Sequence, residues 1–139
     1  MKSYWDTSAV INAAVSPGVM ARLDTGAHVT RLHTFAEFFA TMTGRGIPFM
    51  DEEGNAIRLR FSGNECASWL RGFAEKVQIE DLSKDELLDG LEAAQKLGVQ
   101  GGKVYDYWHA LVSAKAKADE LLTRNMDDFK GLAEGLTWP

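Results

Sequence analysis

Apolar segments of two different periods alternate along this chain, and few folds accept that alternation. Tyr4-Trp5 and Glu120-Leu121-Leu122-Thr123 are short runs of strand length, whereas Phe35, Phe38, Phe39 and Met42 recur at i, i+3, i+4 and i+7, one face of a helix. Repeated strand and helix units imply an α/β fold, a small parallel sheet flanked by helices. Such sheets bind ligands outside the carboxyl ends of their strands, so the residues that follow each strand matter most. At 139 residues, 45% hydrophobic and 25% charged, the chain fits one domain spanning 1–139 with its own core.

The spacing predicts a strand over Ser3–Trp5, a helix through Ala9–Ala14, and a second short helix opened by Ser16-Pro17 and running to about Asp24. His28–Leu32 is a candidate strand, more polar than a buried parallel strand should be. A helix starts at Thr34 and ends near Gly44 and Gly46. Residues 48–61 predict a surface hairpin turning at Gly54-Asn55, a decoration to which no function is assigned. Helical spacing returns at Cys66, Trp69, Leu70 and Phe73, and again from Leu87 to Leu97 before Gly98. Val77–Leu82 is a candidate strand between them. Val104, Tyr107, Trp108, Leu111 and Val112 form a last apolar stripe, and Leu136–Pro139 is a candidate for a final short strand.

Carboxylates beside apolar segments cost free energy unless something pairs with them. Asp6 follows the first strand, Glu37 lies on the helix that begins at Thr34, Asp106 sits at the head of the last stripe, and Asp128 closes the stretch after the strand ending at Thr123. Their convergence would make a site for a hard divalent cation. Each has an ordinary alternative. Thr34-x-x-Glu37 has the form of a capping box, as do Ser62-x-x-Glu65 and Ser83-x-x-Glu86, and Asn125-x-x-Asp128 is a related cap. Asp6 reads equally as a helix N-cap, and Asp106 as a first-turn acid that complements the helix dipole.

One cysteine, Cys66, excludes a disulfide framework, and three scattered histidines, His28, His33 and His109, argue against zinc. Those residues and the four tryptophans read most simply as packing groups. The glycines at 98, 101 and 102 lack the spacing of a phosphate-cradling loop. Asp-x-Asp phosphotransfer chemistry fails because position 8 is Ser. No apolar stretch approaches the roughly 20 residues of a membrane span, so a cytoplasmic location and no membrane partner are expected. The net charge of −5 argues against nucleic acid, yet residues 51–95 carry eleven acidic against five basic side chains, which puts the excess away from the candidate site.

Asp6-Thr7-Ser8-Ala9-Val10 after a strand, Thr34-Phe35-Ala36-Glu37-Phe38, Val104-Tyr105-Asp106-Tyr107-Trp108 and Leu121-Leu122-Thr123-Arg124-Asn125 occur here in one order within one small chain. Together they resemble the PIN-domain family, particularly the VapC-type toxins of bacterial toxin–antitoxin pairs. The resemblance implies a Mg²⁺- or Mn²⁺-dependent endoribonuclease that leaves 5′-phosphate and 3′-hydroxyl ends. It further implies a small cognate antitoxin and pairing of the chain with itself. By the same resemblance Asp6, Glu37 and Asp106 are metal ligands and catalytic residues, and Asp128 substitutes where the family usually has an acid and this chain has Asn125. Thr7, Ser8, Thr123 and Asn125 match supporting polar positions. Lys103, Arg124 and Lys130 are candidates for RNA phosphate contacts. Asn125 also leaves open a PIN-like module that binds RNA or protein without cleaving it.

Overall fold

The computed structural model describes residues 1–138. In chain order the elements are β1 (Lys2–Trp5), α1 (Thr7–Val15), α2 (Pro17–Met20), β2 (Ala27–Thr30), α3 (Leu32–Thr43), β3 (Ile47–Met50), β4 (Ala56–Leu59), α4 (Gly63–Ala74), β5 (Gln78–Ile79), α5 (Lys84–Ala93), α6 (Val104–Lys115), β6 (Glu120–Leu122) and β7 (Leu136–Thr137). A parallel sheet of five strands in the order β5-β2-β1-β6-β7 is flanked by helices, and β3 and β4 pair separately as an antiparallel hairpin. The expected α/β architecture is therefore the observed one. Pro139 falls outside the described residues, so the final strand is observed only as β7.

β1 occupies the centre of the sheet because both of its faces are apolar. Tyr4 stands level with Val29 of β2 and Leu121 of β6, and these three pack with Val112 and Phe129 on the side covered by α6. Trp5, one residue on, points the other way, into a cluster with Val10, Phe38, Met42 and Phe73. All of these side chains are fully buried or nearly so. The chain places β2 on one side of β1 and returns much later to place β6 on the other. The carboxyl end of β1 thus faces the crevice where connections diverge. Among the described residues, no helix is long and apolar enough to cross a membrane.

The expected strand over His28–Leu32 ends earlier. Arg31 is the N-cap of α3, and Leu32, 60% exposed, is its first residue. The unexpected polarity of this stretch has a physical reason. His28 Nδ1 accepts from Trp5 Nε1 at 3.0 Å, and the Thr30 hydroxyl donates to the Trp5 carbonyl at 2.8 Å, so each polar group is satisfied inside the core. The Val77–Leu82 strand shortens to Gln78–Ile79, an edge segment that pairs with β2 alone.

The hairpin does more than decorate. Ile47 and Leu59, opposite each other in register, pack against the core that holds Phe38 and Trp5. Gly46, at φ +68°, sits where a Cβ would run into the Leu59 carbonyl oxygen, so the entry to β3 requires glycine. The far turn is closed by Asp51 Oδ1, which accepts from the backbone of Glu53 at 3.0 Å and Asn55 at 2.8 Å.

Candidate functional site

Asp6 leaves β1 at its carboxyl end and caps α1. Its Oδ1 accepts from the backbone N–H of Ala9 at 2.9 Å and from the Ser8 hydroxyl at 2.6 Å, while Oδ2 accepts no hydrogen bond from the described residues. Ser8 Oγ also accepts from the backbone N–H of Arg124 at 2.9 Å, tying the loop after β6 to Asp6. The next turn of that loop is held by Thr123 Oγ1, which accepts from the Asn125 N–H at 3.0 Å. The Thr7 hydroxyl is buried and has no hydrogen-bond partner among the described residues.

Glu37 is not part of a capping box. Because α3 starts at Leu32, Thr34 is already helical, and its hydroxyl instead pairs with Thr30 Oγ1 at 2.9 Å, donating to it since the one Thr30 proton goes to the Trp5 carbonyl. Freed from that role, the Glu37 carboxylate meets three side chains. Arg31 Nη2 lies 3.4 Å from Oε1, His109 Nε2 3.4 Å and His33 Nε2 3.7 Å. Arg31 is fully buried, stacks over Trp108 at 4.6 Å and donates through Nε to His109 Nδ1 at 3.3 Å. An arginine can only donate, so that nitrogen carries a lone pair, and the Tyr4 hydroxyl at 2.7 Å must donate to it as well. The proton of neutral His109 therefore sits on Nε2, facing Glu37. Burial holds the His109 imidazole below its ordinary pKa. Burial also works against the Glu37 carboxylate, but the hydrogen bond from His109, with the Arg31 guanidinium, outweighs it and brings its pKa below the usual value.

Asp106 lies in the first turn of α6, one turn before His109, and so shares the helix face that meets Glu37. Its carboxylate makes no hydrogen bond or ion pair with the described residues. Its pKa is pushed up to about 6 by burial, then by the negative charges of Asp128, Asp6 and Glu37, with Lys103 acting in the opposite direction. Asp128 stands on a single turn of 3-10 helix whose N-cap, Asn125, makes no side-chain cap bond, so the capping explanation for this pair fails too. The Asp128 side chain is exposed and accepts no hydrogen bond from the described residues.

The four acids thus come from four separate elements and repel one another through Asp106. Their chemistry fits a hard divalent cation: every donor is oxygen, and among the described residues Asp106 and Asp128 are unpartnered and the buried Thr7 hydroxyl lacks a bond. The expected closed set of Asp6, Glu37 and Asp106 around one ion is not formed. Among the described residues, no group of three or more His, Cys, Asp or Glu side chains is arranged to hold a metal ion. Mg²⁺ commonly takes one or two carboxylates and keeps several waters, a demand these acids can meet. Glu37, already engaged by Arg31 and the histidines, is the least available of them.

Beside the acids opens a cleft of about 580 Å³, bounded by α1, the hairpin and the loop after β6, with Thr7, Ser8, Glu37 and Asn125 on its wall. Of the expected phosphate-contacting residues Arg124 lines this cleft, whereas Lys103 lies outside its lining and acts on Asp106 through charge. Lys130 is bound to Asp127 at 2.8 Å on the surface and lines no part of the cleft. Sequence reasoning did not single out Arg31 or Tyr4, took His109 for a packing group, and missed Arg45 and Arg58. The polarity of the stretch from His28 to Arg31 was the available signal for the buried network. No protein-family model matches the chain, and no curated protein matches it either.

Proposed function

We propose that this chain is a divalent-metal-dependent endoribonuclease of the PIN-like kind, acting as a toxin restrained by a small antitoxin protein and pairing with itself. One observation carries the nuclease proposal. Asp6, Glu37 and Asp128, far apart in sequence, each raise the pKa of Asp106 at the carboxyl edge of a parallel sheet, where Glu37 also lines an open cleft. A bound Mg²⁺ or Mn²⁺ would lower the pKa of a coordinated water and offset charge on the phosphate. Asp106, Asp128 and the free oxygen of Asp6 are the groups to hold it. Ser8 fixes Asp6 relative to the Arg124 loop, and Arg31 with His109 fixes the orientation of Glu37. Toxin activity, the antitoxin and self-pairing are supported only by the resemblance of the sequence motifs.

The test is cleavage of single-stranded RNA in Mg²⁺ or Mn²⁺ by the wild type, Asp6→Asn and Asp106→Asn. Cleavage by the wild type alone, abolished by EDTA, supports the proposal; equal cleavage by all three rejects the site. A non-catalytic PIN-like module is the alternative, favoured by the engagement of Glu37 with Arg31 and by the open arrangement of the acids. Binding of RNA or protein without cleavage in either metal would establish it.

A further inference from the structure

The 580 Å³ cleft brings together three arginines from three places in the chain. Arg45 follows α3, Arg58 lies on β4 and Arg124 follows β6. None of them forms an ion pair with the described residues. Arg22, Lys76, Lys115 and Lys130, by contrast, each hold an acidic partner at 2.8 Å. In a chain of net charge −5, unpaired arginines gathered at one cleft form a local field opposite in sign to the whole molecule. Arg58 is also braced: its Nε donates to the Arg45 carbonyl at 2.7 Å, which leaves both terminal nitrogens for a ligand. Phe49 of β3 and Trp138, 38% exposed, add two aromatic surfaces to the same lining.

Cations interleaved with aromatic rings along a concave groove suit a flexible strand of phosphates and bases better than an acidic peptide, which offers nothing to stack. We propose that this cleft is a track for single-stranded RNA, with Arg45, Arg58 and Arg124 on backbone phosphates, Phe49 and Trp138 against bases, and the strand led towards the acids at the Glu37 end. The hairpin is then a substrate-gripping wall. The choice of RNA over other single strands rests on the ribonuclease proposal; the phosphate contacts do not.

Fluorescence anisotropy of a labelled single-stranded oligoribonucleotide, titrated in EDTA over a range of salt, separates the two. Each phosphate contact to a single strand contributes about −0.7 to the slope of log K against log salt. Arg45→Ala, Arg58→Ala and Arg124→Ala are each expected to reduce the slope by about that amount, and the triple variant by about 2. Lys76→Ala, which removes an ammonium bound to Asp24 outside the cleft, should leave it unchanged. All three side chains are exposed, and matching circular-dichroism melts would show that the variants fold alike. Unchanged slopes in the arginine variants would overturn the track, as would tighter binding of duplex RNA or equal competition by a polyglutamate peptide. If the wild type cleaves RNA in Mg²⁺ while the slopes do not move, the track falls and the nuclease stands. If the slopes fall as expected with no cleavage in any metal, the track stands and the nuclease falls.

Discussion

Replacing Asp106 with Asn is expected to make the metal-free protein more stable while removing its proposed activity. The carboxyl, ordinarily near 3.8, is pushed up to about 6 by burial and by Asp128, Asp6 and Glu37. At about 1.4 kcal/mol per pH unit between those values, the ionised group costs the fold about 3 kcal/mol at pH 8. Water around this half-buried side chain screens the interaction to roughly 1–2 kcal/mol. A charge in the first turn of α6 also interacts favourably with the helix dipole, and losing that returns about 0.5 kcal/mol. The net expectation is about 1 kcal/mol in favour of the Asn variant, which for a chain of this length raises Tm by about 3 °C. The sign follows from the raised pKa. The folded wild type binds its proton more tightly than the unfolded chain, so it gains stability as pH falls from above 6 to below 4, and the gap between the two proteins closes over that interval. Thermal melts in EDTA at pH 8, 6 and 4 measure this. A variant less stable than wild type at pH 8, or a gap that does not change with pH, would refute the electrostatic picture of the site.

Other expectations concern the scaffold around the acids. Arg31→Ala leaves Glu37 without its permanent cation and opens a hole beneath Trp108, and should cost about 3 kcal/mol in urea denaturation; an unchanged midpoint would show that the buried network is dispensable. Gly46→Ala forces a Cβ onto the Leu59 carbonyl at positive φ and should cost about 2 kcal/mol, with faster proteolysis in the hairpin than elsewhere. Ser62→Ala removes a complete capping box at the exposed start of α4 and should lower stability by about 1 kcal/mol without touching RNA binding or cleavage.

The sheet was legible because its strands carry apolar residues to both faces, as Tyr4 and Trp5 do, and because an acid directly after such a strand is conspicuous. Capping was only half legible. Ser62-x-x-Glu65 and Ser83-x-x-Glu86 do form boxes, while Thr34-x-x-Glu37, with the same local form, does not. What separates them is tertiary: Thr30 on β2 bonds the Thr34 hydroxyl, and α3 starts two residues earlier. The arginine cleft was out of reach for a related reason. Arg45 and Arg58 meet where the Arg58 side chain donates to the Arg45 carbonyl across the hairpin, a pairing that no local period announces. Lys130, close to the acidic motif in sequence, is bound instead to Asp127 three residues before it.

That Asp6, Asp106 and Asp128 form a pocket of negative charge able to take up a divalent cation is most directly tested by calorimetric titration of Mn²⁺ into the metal-free protein at pH 7.5. The account predicts saturable binding by the wild type that is lost in Asp106→Asn and weakened in Asp128→Asn. A wild-type protein that takes up no Mn²⁺, or an Asp106→Asn variant that binds it equally well, would contradict it.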